Sequence, residues 1–370
     1  MDLHLQTMES FLAIQHDFVS QSIQGRYVNG ESIKAVLNNF ALNEIGRSVE
    51  NRPIYSIDMG SGPIKILLWS QMHGNESTST KGLLDVMCYL KQFPALLGHF
   101  TLKVIPMLNP DGAAAYAREN ANRIDLNRDA QEKSQPESKL LLYAFTDFKP
   151  DYCFNLHDQR TIFGVDGHPC MLSFLAPAAD TDKTITPARR KSMGIIGHIH
   201  QLLQAHIPNL VGRFDDTFNP NCMGDYFTAQ GTPTILFECG QVGSDYARKE
   251  TRKWFAISLL EALQGITNNT LKEANYHAIP EVNKTFVDVL IKNVSHQGNS
   301  FDVALQYEEQ LEDGKIYFVP IFHSMGKLVN VRGHKLVDLA HKNIVFEHNF
   351  SVGQNASWLA KMLDLTQYSH

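Results

Sequence analysis

An apolar run, Ile66-Leu-Leu-Trp-Ser-Gln-Met, ends abruptly in His73-Gly-Asn-Glu76. Residues three apart at the start of a helix share one face. A neutral imidazole and a carboxylate spaced this way can therefore close on a single cation and leave one side open. A catalytic zinc site takes three protein ligands and keeps a further position for water. The third candidate is His157, in Asp-Tyr-Cys-Phe-Asn-Leu-His-Asp-Gln, which also stands where an apolar strand-like run stops. Most of the 16 histidines, such as His198, His200 and His206, lie in helix-like or loop sequence and read as ordinary surface or core residues. His323, His334 and His341 read as surface residues. The competing reading of His73 and Glu76 is an acidic first helical turn favoured by the helix dipole; the matching setting of His157 weighs against it.

Glu238, in Thr-Pro-Thr-Ile-Leu-Phe-Glu-Cys-Gly, ends another apolar run. A glutamate is seldom placed there unless it is paired or used. It reads either as half of a buried salt bridge or as the general base for a water at the metal, its pKa raised by desolvation. The stretch from Asn109 to Asp129 carries Arg118, Arg123 and Arg128. Guanidinium forks grip carboxylates and stabilise developing oxyanions. Any one of them is by default a solvated loop residue, but Asp125-Leu-Asn-Arg128, following a strand and a glycine turn, points to a binding site.

These residues need a frame that gathers them. Four short apolar runs, Ile64 to Met72, Phe100 to Leu108, Tyr152 to Leu156 and Pro233 to Phe237, each stop at a polar cluster. Helix-like stretches at Thr80 to Phe93, Glu137 to Phe145, Ala188 to Ala205 and Arg252 to Leu263 alternate with them. Continuous apolar strands between helices predict an α/β fold, a mixed and mostly parallel sheet with helices on both faces. Ligands of such sheets sit beyond the carboxyl ends of the strands, where every one of the polar clusters falls. From Gly265 the texture changes. Thr267-Asn-Asn-Thr and Tyr276-His-Ala-Ile-Pro read as a linker. Alternating segments at Thr285 to Ile291, Phe301 to Leu305, Lys315 to Ile321 and Asn343 to Phe346 follow, with a short helix near Ser357 to Leu363. Two domains are expected: a catalytic one over residues 1–270 and a small β-rich one over 277–370.

The 370 residues suffice for a large core, and 19% charged with 43% hydrophobic residues describes an ordinary globular protein. A net charge of -6 without a run of Lys and Arg gives no footprint for nucleic acid. No apolar window approaches membrane-spanning length, and no secretory signal is visible at the N-terminus. The 5 cysteines are odd in number and lack CxxC spacing. Reduced thiols and a cytoplasmic location are the expectation.

Glu44-Ile-Gly-Arg-Ser-Val-Glu-Asn-Arg-Pro-Ile, His73-x-x-Glu76, Asn109-Pro-Asp-Gly, Asp125-Leu-Asn-Arg128, His157 and Glu238 occur in this order. Together they resemble the zinc carboxypeptidase family of the carboxypeptidase A type, over roughly residues 40–265. The resemblance implies one Zn²⁺ per chain, held by His73, Glu76 and His157, with Glu238 activating the water. It also implies that Arg118 polarises the scissile carbonyl and that Asn127 and Arg128 grip the substrate's terminal carboxylate. Asp125 is implied as the carboxylate that orients the first zinc histidine. The chain departs from the pattern in places. The loop Gly212-Arg-Phe-Asp-Asp-Thr-Phe-Asn-Pro lacks the substrate-capping tyrosine, and Arg123 stands where a glycine is usual. Met223 and Gly224, near the expected specificity pocket from Cys222 to Asp225, suggest neither a basic nor an acidic selector.

His-Gly-Asn-Glu, Phe237-Glu-Cys-Gly-Gln and the C-terminal β segment also look like the aspartoacylase and succinylglutamate desuccinylase branch. The substrate implied is thus a peptide losing its C-terminal residue or an N-acyl amino acid losing its acyl group. The stretch 44–54 and the Arg118 spacing favour the first. A non-catalytic carboxylate-binding protein is the rival from another class, and hydrolysis of a cell-wall peptide amide is a third reading. The β domain is free to cap the cleft, restrict it to small substrates or join two copies as a homo-oligomer.

Overall fold

The computed structural model describes residues 8, 11–13, 23–269, 271–296, 298–340 and 351–365. Strands β1 (Leu42–Arg47), β2 (Pro53–Met59), β3 (Ile64–Ser70), β4 (Phe100–Ile105) and β5 (Tyr152–Asp158) lead into a two-stranded ladder, β6 (Gly164–Val165) and β7 (His168–Pro169). Strands β8 (Leu172–Leu175), β9 (Val211–Arg213) and β10 (Thr234–Cys239) follow. Eight of these form one sheet in the order β1-β2-β4-β3-β5-β10-β8-β9. Its centre, β4-β3-β5-β10, is parallel throughout and consists of the four runs expected as strands. Antiparallel pairing joins β2 to β4, β1 to β2 and β8 to β10.

The central runs are apolar because both faces are covered. The helices are α1 (Gly30–Leu37), α2 (Thr78–Gln92), α3 (Pro110–Ala115), α4 (Pro136–Phe148), α5 (Pro187–His206), α6 (Met223–Ala229) and α7 (Lys249–Thr267). On β3, Ile66 and Leu68 pack with Leu83 and Met87 of α2, Ile196 of α5 and Phe255 of α7. The alternate residues Leu67 and Trp69 pack on the other face with Leu141 of α4 and Phe227 of α6. Burying one such side chain stabilises the fold by about 1.5–3 kcal/mol, so a register slip on β3 is heavily disfavoured. No helix among the described residues is long and apolar enough to cross a membrane.

The segment read as a linker is partly structured. Helix α8 (Glu273–His277) buries Tyr276 completely, and its hydroxyl accepts from Ala176 N at 3.2 Å. The second sheet follows: β11 (Phe286–His296), β12 (Asn299–Glu312), β13 (Lys315–Gly326) and β14 (Arg332–Asp338), with α9 (Ser357–Met362) after it. Its order is β13-β12-β11-β14, antiparallel except between β11 and β14. Asp313-Gly314, both at positive φ, close the β12–β13 hairpin as a two-residue turn requires. The strand expected at Asn343 to Phe346, and His341, lie outside the described residues.

Tyr116 and Tyr246, which belong to loops of the large sheet, enter the core of the small one. Tyr246 donates to Asp288 at 2.8 Å. His334, expected on the surface, instead faces Thr161 O at 2.8 Å across the junction of the two sheets. Burial lowers its pKa to about 4. His323 is exposed.

Candidate metal centre and cleft

Loop construction explains where the ligand candidates stand. At the end of β3, Gln71 at φ 48° turns the chain out of the sheet, and Glu76 N donates to His73 O at 3.1 Å to close a turn. Helix α2 begins only at Thr78, so His73 and Glu76 precede it instead of sharing its first turn. Asn109 holds the loop from below: its N donates to Gln71 O at 3.1 Å and its Nδ2 to Met72 O at 3.1 Å. Gly74 presses on the next motif, since a Cβ there would lie 1.9 Å from the Gly112 carbonyl carbon. Asp111 then ties Asn109-Pro-Asp-Gly to the stretch 44–54, accepting from Ser48 Oγ at 2.7 Å and Glu50 N at 2.9 Å.

His157 and Glu238 come from adjacent strands. In the parallel pairing of β5 and β10 they are direct partners in register, so both side chains leave the same face at the same height. The structure thus gathers His73, Glu76 and His157, whose candidate ligand atoms lie within 4.8 Å of one another and whose residues are all buried. His73 Nδ1 is 2.8 Å from Glu76 Oε1, and His157 Nδ1 is 2.8 Å from Glu76 Oε2 and 3.1 Å from His73 Nδ1. Two imidazole nitrogens turned toward each other beside a carboxylate form a concave nitrogen and oxygen donor set that fits zinc. Behind it, His73 Nε2 lies 3.0 Å from Asp125 Oδ1, which also accepts from Asn127 N at 2.8 Å. Arg118 donates through Nη1 to Glu76 Oε1 at 3.0 Å and through Nε to Asp125 Oδ2 at 3.1 Å.

The carboxylates are driven apart electrostatically. Burial raises the Glu238 pKa well above the usual carboxylate range, reinforced by Glu76 and Asp158. Its Oε2 is enclosed and has no hydrogen-bond partner. Burial would also raise Glu76, but His73 and His157 overcome it and hold Glu76 well below that range. Asp125 is likewise held low against burial by His73 and Arg118. Burial lowers the pKa of His157 toward the neutral imidazole that a metal requires.

A cleft of about 730 Å³ opens from this ring. Arg128, exposed, reaches it with Nη1 on Asn127 O at 2.7 Å and Cys222 Sγ at 3.0 Å. Asn127 Oδ1 accepts from Met223 N at 3.0 Å, which fixes the start of α6 against it. No tyrosine lines this cleft among the described residues; Phe163, Phe214 and Phe218 supply its aromatic surface. The sequence placed the expected specificity pocket at Cys222 to Asp225 but, with Met223 and Gly224 suggesting no charged selector, assigned no role to Asp225. It lines the cleft beside Gly224, and burial raises its pKa to about 6. A carboxylate in the first turn of a short helix after a cysteine gave only a faint signal. Arg123 takes φ 59°, the left-handed conformation that explains the usual glycine there.

Residues 34–166 match the zinc carboxypeptidase family. Carboxypeptidase SOL1 of Arabidopsis thaliana is 25% identical over 162 residues, 35% of this chain and 33% of its own. Carboxypeptidase E of Caenorhabditis elegans is 29% identical over 140 residues, 28% of this chain and 30% of its own. The chain thus spans about a third of the length of these relatives. Among solved structures, a metallo-carboxypeptidase from Burkholderia cenocepacia superposes with a TM-score of 0.52 at 17% identity, covering 65% of this chain and 70% of that one. The metallo-carboxypeptidase from Pseudomonas aeruginosa, solved with (2-guanidinoethylmercapto)succinic acid, gives 0.51 at 17% identity, covering 66% and 70%. Residues 34–166 are thus similar to the zinc carboxypeptidase family, and the large sheet shares its fold with solved metallo-carboxypeptidases.

Proposed function

We propose that the protein is a zinc-dependent hydrolase that cleaves an amide bond next to a free carboxylate, removing the C-terminal residue of a peptide. The observation that carries this reading is the enclosed, unpartnered Glu238 Oε2 beside the ring of His73, Glu76 and His157. The names of the two sequence relatives support it. Zinc held by these three residues supplies a Lewis acid and lowers the pKa of a water toward ~7. Glu238, with its raised proton affinity, takes the water's proton at Oε2 and later delivers it to the departing amine. Arg118 places its guanidinium beside Glu76, where it stabilises negative charge developing on the carbonyl oxygen. Asn127 and Arg128 bind the terminal carboxylate, and Asp125 keeps His73 in the tautomer that presents Nδ1 to the metal. A substrate side chain on the amine side enters the cleft between Phe214 and Asp225.

A second substrate class, N-acyl amino acids, is favoured by one observation. Strand β12 of the small sheet walls the acyl side of the centre through Gln306 to Gln310, which suits short acyl groups.

The test pairs metal analysis with turnover on C-terminal peptide libraries and N-acyl amino acids. The wild-type protein is expected to hold one zinc and Glu76→Ala none. Glu238→Gln is expected to keep the zinc while kcat falls by about 10²–10⁴-fold. A Glu238→Gln protein that turns over at the wild-type rate overturns the assignment.

A further inference from the structure

A second cleft of about 400 Å³ shares Glu76 and Arg118 with the first but lies toward the small sheet, away from Arg128. Tyr246 and, from β12, Gln306, Tyr307 and Glu309 close its far side. Two arginines line it with almost no exposure, Arg26 at 4% and Arg248 at 1%. Arg26 uses Nη2 on Glu309 at 3.1 Å, while its Nε and Nη1 have no hydrogen-bond partner. Arg248 is fastened through Nη1 to Cys239 O at 2.6 Å and through Nη2 to Gln159 O at 2.7 Å, leaving Nε without a partner. An enclosed donor left unpaired is costly, and more so on a charged group.

The acidic groups of the same cleft are already engaged, Glu309 with Arg26 and Asp158 with Arg248 Nη1 at 3.7 Å among their partners. Asp158 accepts from Thr78 N and Ser79 N. Asp288 accepts from Tyr246 Oη, Tyr307 N and Gln306 Nε2, and Glu309 from Tyr116 Oη and Arg26. Glu308 is exposed at the rim, as is Arg160. What stays unmet is a set of arginine donors, Arg26 Nε and Nη1 and Arg248 Nε, each of which takes an acceptor oxygen. Two enclosed acceptors without partners, Asn75 Oδ1 and Gln306 Oε1, match the N–H groups of an amide backbone.

We propose that this cleft is an acyl-side subsite selecting substrates with a carboxylate on the residue before the cleaved bond, with Arg26 as its anchor. The proposal rests on the hydrolase reading for its direction. A terminal carboxylate at Arg128 and a carbonyl at the His73–Glu76–His157 ring send the acyl part of the chain past Glu76 into this space. The junction of the two sheets thereby reads the substrate, with β12 as its outer wall.

The experiment compares three acetylated dipeptides sharing one C-terminal residue and carrying Glu, Gln or Lys before it, on the zinc-loaded full chain. The Glu peptide is expected to exceed the Gln peptide in kcat/KM by about tenfold or more, with the Lys peptide lowest. Arg26→Met is expected to bring the Glu to Gln ratio near one, and Arg26→Lys to restore much of it. A wild-type protein that treats the three alike, or prefers Lys, overturns the proposal without recourse to any variant. A second arm measures calorimetric binding of the same peptides to zinc-loaded Glu238→Gln protein. Should no peptide be hydrolysed, the hydrolase reading fails, yet the binding order still decides the subsite: Glu tightest upholds it, and equal affinities overturn it.

Discussion

Replacing Gly74 by alanine is the smallest change that should dismantle the metal ring without touching a ligand. The added Cβ would sit 1.9 Å from the Gly112 carbonyl carbon and 2.1 Å from Ala113 N. That is an overlap of roughly 1.5 Å relative to ordinary carbon contact. Both obstacles are backbone, and Gly112 has little freedom of its own: a Cβ there would meet Asn109 Nδ2 at 2.5 Å and Glu119 O at 2.6 Å. The loop bearing His73 must therefore move by about 1 Å, at an overpacking cost of about 1–3 kcal/mol. Metal sites tolerate distance errors of only ~0.2 Å, and a displacement of about 1 Å costs on the order of 10²-fold in rate. Zinc affinity is expected to fall by about 100-fold, or about 2.8 kcal/mol, read by competition with a chromophoric chelator. The thermal stabilisation given by zinc should shrink in parallel. Gly98→Ala is the control, because nothing lies within 4 Å of its would-be Cβ. A Gly74→Ala protein that binds zinc and turns over like wild type would refute the claim that this backbone contact sets the loop.

The remaining predictions address selectivity and pH. Asp225→Asn is expected to lower kcat/KM for peptides ending in Arg or Lys by about tenfold relative to those ending in Leu. An equal loss on both would instead assign Asp225 to holding Asn219 N, from which it accepts at 3.1 Å. Burial raises the Asp288 pKa to about 6, above its unfolded value of about 4. The native state therefore keeps a proton that the unfolded chain has lost. Its contribution is full below about pH 4 and is lost as pH rises to about 6, an effect of about 3 kcal/mol. Asp288→Asn should remove this slope. Urea unfolding of both proteins from pH 4.5 to 7 would show their stabilities converging or crossing as pH rises; parallel curves would contradict the buried-carboxyl argument.

Legibility in the sequence followed burial. The four central strands were readable because both faces are covered, leaving uninterrupted apolar runs that end in polar chemistry at one rim. For the same reason His73, His157 and Glu238 stood out: each is a polar group where an apolar run stops. Edge strand β1 escaped because its residues, Leu42–Arg47, are mixed and partly exposed without a usable pattern, and β9 because it is only 3 residues long. Four-residue β8 was too short to register. Arg123 hid a left-handed turn behind a residue type that ordinarily avoids it. The second cleft was invisible for a different reason: Arg26, Arg248 and Gln306 are far apart in the chain, and only the docking of the small sheet brings them together. Tyr276 and His334 were misjudged because polar, irregular sequence around them conceals their burial or partners.

The ladder that sets His157 opposite Glu238 has a consequence for how this molecule can diversify. The two residues are neighbours through six paired positions between β5 and β10, and the long excursion between Asp158 and Thr234 meets that ladder through β8, which pairs with the far edge of β10. Phe163, Phe214, Phe218, Cys222 and Asp225 all ride on this excursion and all face the cleft. Insertions and substitutions there can remould the surface presented to a side chain while the spacing of imidazole and carboxylate stays locked by backbone geometry. Reactivity and taste are thus housed in different stretches of one continuous segment, the first in the ladder and the second in the loops and helix around it.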